Sequence, residues 1–312
     1  MIKNYNSKYD KQILNLWNQQ LYRDQLNLRQ FYKYIILDEN FDPELMLLSL
    51  DNNQLNGFIY ATKRKVPYEN RGLEQNKGWI VSIAVVEEKQ KNGIGTLLLE
   101  EVENRLRKKG VSQIVLASYS PNYFFPGVDM EAYMHAIPFF EKFGYQFNEH
   151  HAVSMCKILN HYKMPEKYVQ KEIELLKSGY HIRNFKLSDS AELILFLQTS
   201  FSGGWAKGVR LAINEGRAEK QVLVCTNKNG EIVGFVQHAM DGNQERFGPF
   251  GVREDLRGLG IGSLLFHRMM NHLCQNKIYY TYFVWTSGSN IQKYQSWGME
   301  VYRTYKLGSK MY

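Results

Sequence analysis

The sequence predicts an α/β (α+β) protein of two tandem domains, each a mixed, mostly antiparallel sheet flanked by helices. Three observations carry that prediction. First, a glycine turn of pattern [Gln/Arg]-x-x-Gly-x-Gly occurs twice, as Gln90-Lys91-Asn92-Gly93-Ile94-Gly95 and as Arg257-Gly258-Leu259-Gly260-Ile261-Gly262. Second, each copy joins a strand-like run (79–86 and 247–252) to a helix-like run (96–102 and 263–269). Third, the same order of elements, with an antiparallel hairpin, precedes each copy. A chain of 312 residues has room for two domains of roughly 150 each.

In order, Met1-Ile2-Lys3-Asn4-Tyr5 is echoed by His181-Ile182-Arg183-Asn184-Phe185 as an opening strand. A helix follows each: 11–20, with Ile13, Leu14, Leu16 and Trp17 apolar, and 189–198, with Leu193, Ile194, Phe196 and Leu197 apolar. Next comes a hairpin. The first runs 45–50, turns through Asp51-Asn52-Asn53-Gln54 and returns over 57–61; the second runs 222–225, turns through Asn227-Lys228-Asn229-Gly230 and returns over 232–236. After the glycine turn and its helix, each half has a strand (113–117 and 278–284). A short helix then runs into Phe143-Gly144-Tyr145 or Trp297-Gly298-Met299, and a last strand closes the half. Residues 165–178 read as a connecting helix, with Pro165 at its first turn and Gly179 after its end. This places an N-terminal domain at 1–160, a helical connector at 161–179 and a C-terminal domain at 180–312. The first half is longer in two places, 63–77 and 120–129. The second of these holds an aromatic loop, Tyr123-Phe124-Phe125-Pro126-Gly127.

Composition narrows the partners. Apolar residues make up 44%, enough for globular cores, and no apolar run reaches the ~18 residues of a membrane span. The N-terminus lacks the apolar segment of a signal peptide, so the expectation is a soluble cytoplasmic protein without a membrane partner. Cys156, Cys225 and Cys274 are far apart and read as reduced thiols, and the eight histidines form no metal-binding pattern, so no metal is expected. The formal charge of +8 suits an acidic partner or a phosphorylated cofactor. Basic residues are scattered without a block of five, which disfavours nucleic acid.

A glycine turn between strand and helix leaves backbone N–H groups open at the positive end of the helix, a site for phosphate oxygens. Neither copy is a P-loop, because Gly95-Thr96 and Gly262-Ser263 lack the lysine. Neither fits the dinucleotide fingerprint Gly-x-Gly-x-x-Gly, and both follow antiparallel hairpins.

The order of elements and the motif Ile83-Ala84-Val85-Val86-Glu87-Glu88-Lys89-Gln90-Lys91-Asn92-Gly93-Ile94-Gly95, repeated as Gly251-Val252-Arg253-Glu254-Asp255-Leu256-Arg257-Gly258-Leu259-Gly260-Ile261-Gly262, resemble the GNAT superfamily of acetyl-CoA-dependent N-acyltransferases. The resemblance covers nearly the whole chain as two modules. It implies acetyl-CoA as co-substrate, its diphosphate held at Gln90, Lys91, Asn92, Gly93, Ile94, Gly95 and Thr96, and at Arg257, Gly258, Leu259, Gly260, Ile261, Gly262 and Ser263. It also implies a strand that splays from its neighbour, ending at Val85 and at Val252. Pro249 suits such a strand, since proline cannot donate to a ladder.

Family members commonly use a tyrosine four residues before a glycine as the acid that protonates the leaving thiolate. Tyr294 matches, in Tyr294-Gln295-Ser296-Trp297-Gly298, while Phe140 holds that place in the first half. The C-terminal domain is therefore expected to be the catalytic module. Asp241 and Glu245 are read as a base or as surface charges. The expected activity is transfer of an acetyl group to a primary amine of a small molecule or peptide, by a monomer whose domains form a pseudo-dimer. The alternatives are a non-catalytic acyl-CoA-binding regulator and a protein acetyltransferase. The aromatic loop is expected to line an acceptor pocket or to pack between domains, and a further expectation has it reach across and shape the other domain's acceptor site.

Overall fold

A computed structural model describes all residues of the chain except Tyr123, Ser202 and Gly203. Thus Tyr123 of the aromatic loop lies outside the described residues. The chain runs β1 (Ile2–Asn4), α1 (Asp10–Gln20), α2 (Leu28–Phe31), β2 (Met46–Asp51), β3 (Gln54–Thr62), β4 (Lys77–Val85), α3 (Ile94–Lys108), β5 (Gln113–Leu116), β6 (Val128–Asp129), α4 (Ala136–Lys142) and β7 (Gln146–Ile158). It continues with α5 (Glu166–Lys177), β8 (His181–Asn184), α6 (Ser190–Ser200), α7 (Gly204–Asn214), α8 (Ala218–Gln221), β9 (Val222–Thr226), β10 (Ile232–His238), β11 (Phe247–Val252), α9 (Ile261–Gln275), β12 (Tyr280–Ser287), α10 (Ser289–Ser296) and β13 (Glu300–Met311). Both halves are mixed sheets with flanking helices, as expected.

Two compact units emerge: Met1–Val153 with Arg303–Tyr312, and Ser154–Tyr302. This differs from the sequence reading, which put the boundary within the connector, now α5, and gave each half its own last strand. The chain instead changes unit inside β7 and again inside β13. In the first unit the strand order is β1-β2-β3-β4-β5-β13. Ser309, Lys310 and Met311 pair antiparallel with Val115, Ile114 and Gln113 of β5. In the second, Ser154 and Leu159 bond to Val284 O and Tyr279 O. The last strands of the two halves are thus exchanged. The second unit's own antiparallel sheet runs β11-β10-β9-β8.

The local reasons are ordinary. Asn52 and Asn53 both take positive φ (45° and 63°), the two-residue turn that matches strand twist. α3 buries Leu98, Leu99, Val102 and Leu106 on one face and carries Arg105, Arg107 and Lys108 in its last turn, where they complement the helix dipole. The first core is built on Trp17, Phe31, Ile59, Leu99 and Ile114, with Trp17 stacked on Phe58 at 6.1 Å. A separate core in the second unit holds Leu193, Leu197, Val209, Val224 and Phe235. The two long insertions of the first half meet on Arg64. Its guanidinium pairs with Glu74 (2.9 Å), donates to Ser120 O (2.8 Å) and lies 4.8 Å from the Trp79 ring.

Cys225 is buried, its thiol pushed up to about 12 by burial, while Cys156 and Cys274 are half-buried; all three are free. Among the described residues no helix is long and apolar enough to cross a membrane. Nor does any group of three His, Cys, Asp or Glu among them sit as metal ligands do.

Candidate active site

β4 pairs with β3 along its length, from Thr62 opposite Trp79 to Gly57 opposite Val85. On its other side it pairs with β5 only over Lys77–Ile80. The last bond between them is Ala117 N–H to Ile80 O, 2.8 Å. Ala117 and Ser118 then take positive φ (57° and 54°) and the chain turns away. On this side residues 81–85 run on without a strand beside them, so β4 and β5 part in a V.

The glycine turn stands at the end of this strand. Gln90 Nε2 donates to Val85 O (3.1 Å) and to Gln20 Oε1 (3.0 Å), tying the turn to the parted strand. Lys91 and Gly93 have positive φ (60° and 81°), and Gly93 begins α3 with no side chain capping the helix. The first-turn amides are thus open to an anion. A methyl on Gly95 would lie 3.5 Å from Phe139, in ordinary contact with the cavity wall.

A cavity of about 590 Å³ fills the V. Its lining includes Gln90, Lys91, Gly93, Gly95 and Thr96 from the turn, and 80–85 from β4. Leu116, Ala117, Phe125, Val128, Tyr133, His135, Phe139, Phe140 and Lys142 complete much of the rest. Of the residues named from sequence in this half, Asn92 and Ile94 lie in the turn without lining the cavity; Ile94 packs toward Gly57. Phe140 is buried, as a phenyl ring without a proton to give. Tyr133 has a hydroxyl, but it donates to Asp24 Oδ2 (3.0 Å); burial first, and then the Asp24 charge, raise its pKa. Arg303 forks onto Asp24 (2.7 and 2.8 Å) and reaches Asp129 (2.7 Å) behind that wall.

The aromatic loop is built into this unit. The Phe124 ring lies 5.3 Å from Trp17 and 5.9 Å from Tyr34, and Phe125 lines the cavity. Phe124 and Phe125 thus have places within their own unit.

The second turn repeats the backbone. Gly258 and Gly260 have φ of 90° and 93°, and no side chain caps α9. Just ahead of β11, Arg246 bridges to Tyr282 of β12 and Glu245 O accepts from Tyr282 N–H (3.0 Å), but among the described residues no ladder joins β11 itself to β12, so this strand is also parted from its neighbour. The pairing with β10 shifts register between Val236 and His238, opposite the stretch that holds Pro249. A methyl on Gly262 would lie 3.6 Å from Val252 Cγ2, as one on Gly95 would lie 3.9 Å from Val85 Cγ2.

Here the surroundings differ. The Lys171 stem, from α5, lies over Gly260, with Cε 2.6 Å from where a methyl would stand. The Lys171 ammonium is held by Glu174 at 2.9 Å. Phe201 and Trp205, stacked at 4.7 Å, crowd Gly251. Arg257 pairs with Glu254 (3.3 Å), Leu259 is exposed, Ile261 is buried and Ser263 Oγ donates to Gly260 O (2.8 Å).

Tyr294 lies in α10, its ring 4.7 Å from Phe283, 6.0 Å from Phe250 and 5.6 Å from Trp297. Burial among these rings raises the phenol pKa. Asp241 faces Arg246 at 3.7 Å, and Glu245 is exposed, both ahead of β11 and at the opposite end from the turn.

The acetyltransferase (GNAT) family matches residues 11–145 and 192–298, well over half of the chain. Among solved structures, the chain is similar to a glucosamine N-acetyltransferase region of a fungal multi-domain GH3 β-N-acetylglucosaminidase. That match has a TM-score of 0.82 at 21% identity over 99% of this chain, and the chain spans only 38% of that protein. It is similar to a GCN5-related N-acetyltransferase from Sphaerobacter thermophilus (TM-score 0.68, 17% identity, 100% and 95% of the two chains). A third is a tandem GNAT protein from the clavulanic acid biosynthesis pathway (0.63, 11%, 100% and 98%). At such identities the likeness is one of fold. No curated protein matches in sequence. With both glycine turns inside the matched segments and both following a parted strand, the chain belongs to the acetyltransferase (GNAT) family.

Proposed function

We propose that the chain is an acetyl-CoA-dependent N-acetyltransferase that acts as a cytoplasmic monomer on a primary amine, with the acyl donor held by the first unit. The observation that carries this reading is the cavity joining an uncapped glycine turn to a parted strand. Acetyl-CoA supplies the thioester. The chain supplies amides from the α3 terminus and the Lys91 and Lys142 ammoniums for the diphosphate. It also supplies apolar walls that exclude water from the site of attack. Transfer is by direct attack of the neutral amine, without an acyl-enzyme intermediate.

Calorimetry with acetyl-CoA tests the placement. Gly93→Val forces a β-branched residue into positive φ, at about 1–3 kcal/mol, and narrows the diphosphate approach. Expected are one equivalent bound by the wild type, binding weakened at least about tenfold in Gly93→Val and unchanged binding in Gly260→Val, with circular dichroism confirming the fold. The reverse pattern would move the donor site to the second unit.

A second reading, turnover in the second unit with Tyr294 as the acid, is favoured by the contact of Tyr294 with Phe250 of the parted strand. Under it, Tyr294→Phe lowers kcat by about a hundredfold; under the first, kcat is unchanged. Thiol release over an amine panel reads this out. Glucosamine belongs in the panel, because the similar fungal region is described as acting on it.

A further inference from the structure

Ser82 is the one hydroxyl in the apolar run 79–86 of the parted strand. It is buried, its Oγ has no hydrogen-bond partner, and it lines the cavity. A buried orphan hydroxyl carries a desolvation penalty that a bound polar atom removes. Much of the rest of the cavity wall is apolar or aromatic, including Leu116, Phe125, Val128 and Phe139.

The charges are as telling. Among the described residues lining the cavity there is no carboxylate; Lys91 and Lys142 are its full charges. Two carboxylates near the lining are already held by a cation. Asp129, adjacent to Val128, and Asp24, which holds Tyr133, are both bound by Arg303. A cationic amine entering here finds no counter-ion among the lining residues, so it loses hydration without compensation.

We propose, resting on the acetyltransfer reading above, that the first unit's acceptor is a weakly basic amine on an apolar body, uncharged at neutral pH, and that Ser82 Oγ accepts one of its N–H groups. That bond turns the nitrogen lone pair away from Ser82. As the N–C bond forms, the C–S bond breaks with its electron pair going to sulfur. The proton lost by nitrogen balances the one the thiolate gains. An amino sugar, whose several hydroxyls need partners, and an alkylammonium fit this lining poorly.

Aniline and cyclohexylamine test the idea, being of similar size but neutral and cationic, respectively, at neutral pH. Acetyl-CoA binding is first measured on its own by calorimetry. The expected result is turnover of aniline with a KM at least about tenfold below the inhibition constant of cyclohexylamine, so that charge and not shape decides binding. Ser82→Ala should raise the aniline KM about tenfold with the acetyl-CoA Kd unchanged, and Ser82→Thr, which restores the hydroxyl, should recover most of it. If the chain binds acetyl-CoA and cyclohexylamine or glucosamine binds as well as aniline, or if Ser82→Ala leaves KM unchanged, this inference fails while the acetyltransfer reading stands. If acetyl-CoA does not bind, both fail.

Discussion

Arg303 joins two buried carboxylates of the first unit, Asp24 and Asp129. Burial alone would raise the Asp129 pKa. The Ala132 N–H and the Arg303 guanidinium outweigh it and hold the carboxyl below its usual range. A depressed folded pKa contributes stability above the unfolded value of about 4, and that stability is lost as pH falls through the folded pKa. Arg303→Met removes the cation the two carboxylates share, leaving Asp129 to its backbone N–H donors and Arg23, and Asp24 to the Tyr133 hydroxyl. It should cost about 3–5 kcal/mol in urea unfolding near neutral pH, with a smaller loss in acid as the Asp129 carboxyl protonates. Nothing in the sequence advertised this: Arg303 stands 279 positions from Asp24. Ser82 did leave a trace, as a lone hydroxyl in an apolar strand. Tyr294 was legible as a motif, yet its caging by Phe250, Phe283 and Trp297 depends on packing that spacing does not encode.

At the scale of elements, strands, hairpins and glycine turns were readable because each follows a short-range rule: alternation, paired asparagines, positive φ at glycine. The splay of β4 from β5 was expected only through the family resemblance; its local device, Ala117 and Ser118 at positive φ, has no sequence signature. α7 was not foreseen, since its buried face of Ala206, Gly208, Val209 and Ala212 is too small to stand out as apolar. The exchange of last strands was equally hidden, because either sheet accepts an apolar strand. It makes a firm prediction. Removing residues 303–312 deprives β5 of its neighbour, Glu103 of Lys310 and Asp24 of Arg303. Hydrogen exchange should show protection lost across β4, β5 and α3, while β8 to β10 keep theirs.

For the whole molecule, the net charge of +8 gains a local address. Lys91 and Lys142 stand at the cavity, where a polyanionic donor would meet them. Acetyl-CoA affinity should therefore fall as salt rises, and the double variant Lys91→Ala/Lys142→Ala should bind about tenfold more weakly with a flatter salt dependence. At a hundred times Kd the ligand should add about 2.7 kcal/mol to the unit that holds it, seen as slowed exchange over 81–96 and not over 252–263. The exchanged strand also bears on how the protein is made. A ribosome delivers the first unit's helices and hairpin early, but the strand that lies beside β5 and the arginine that pairs with Asp24 emerge only after the whole second unit. The amino-terminal unit must wait through the translation of the whole second unit with an unpaired edge at Gln113–Leu116. Ribosomes that stall before residue 303 would release chains with that edge left open to chaperones or to one another.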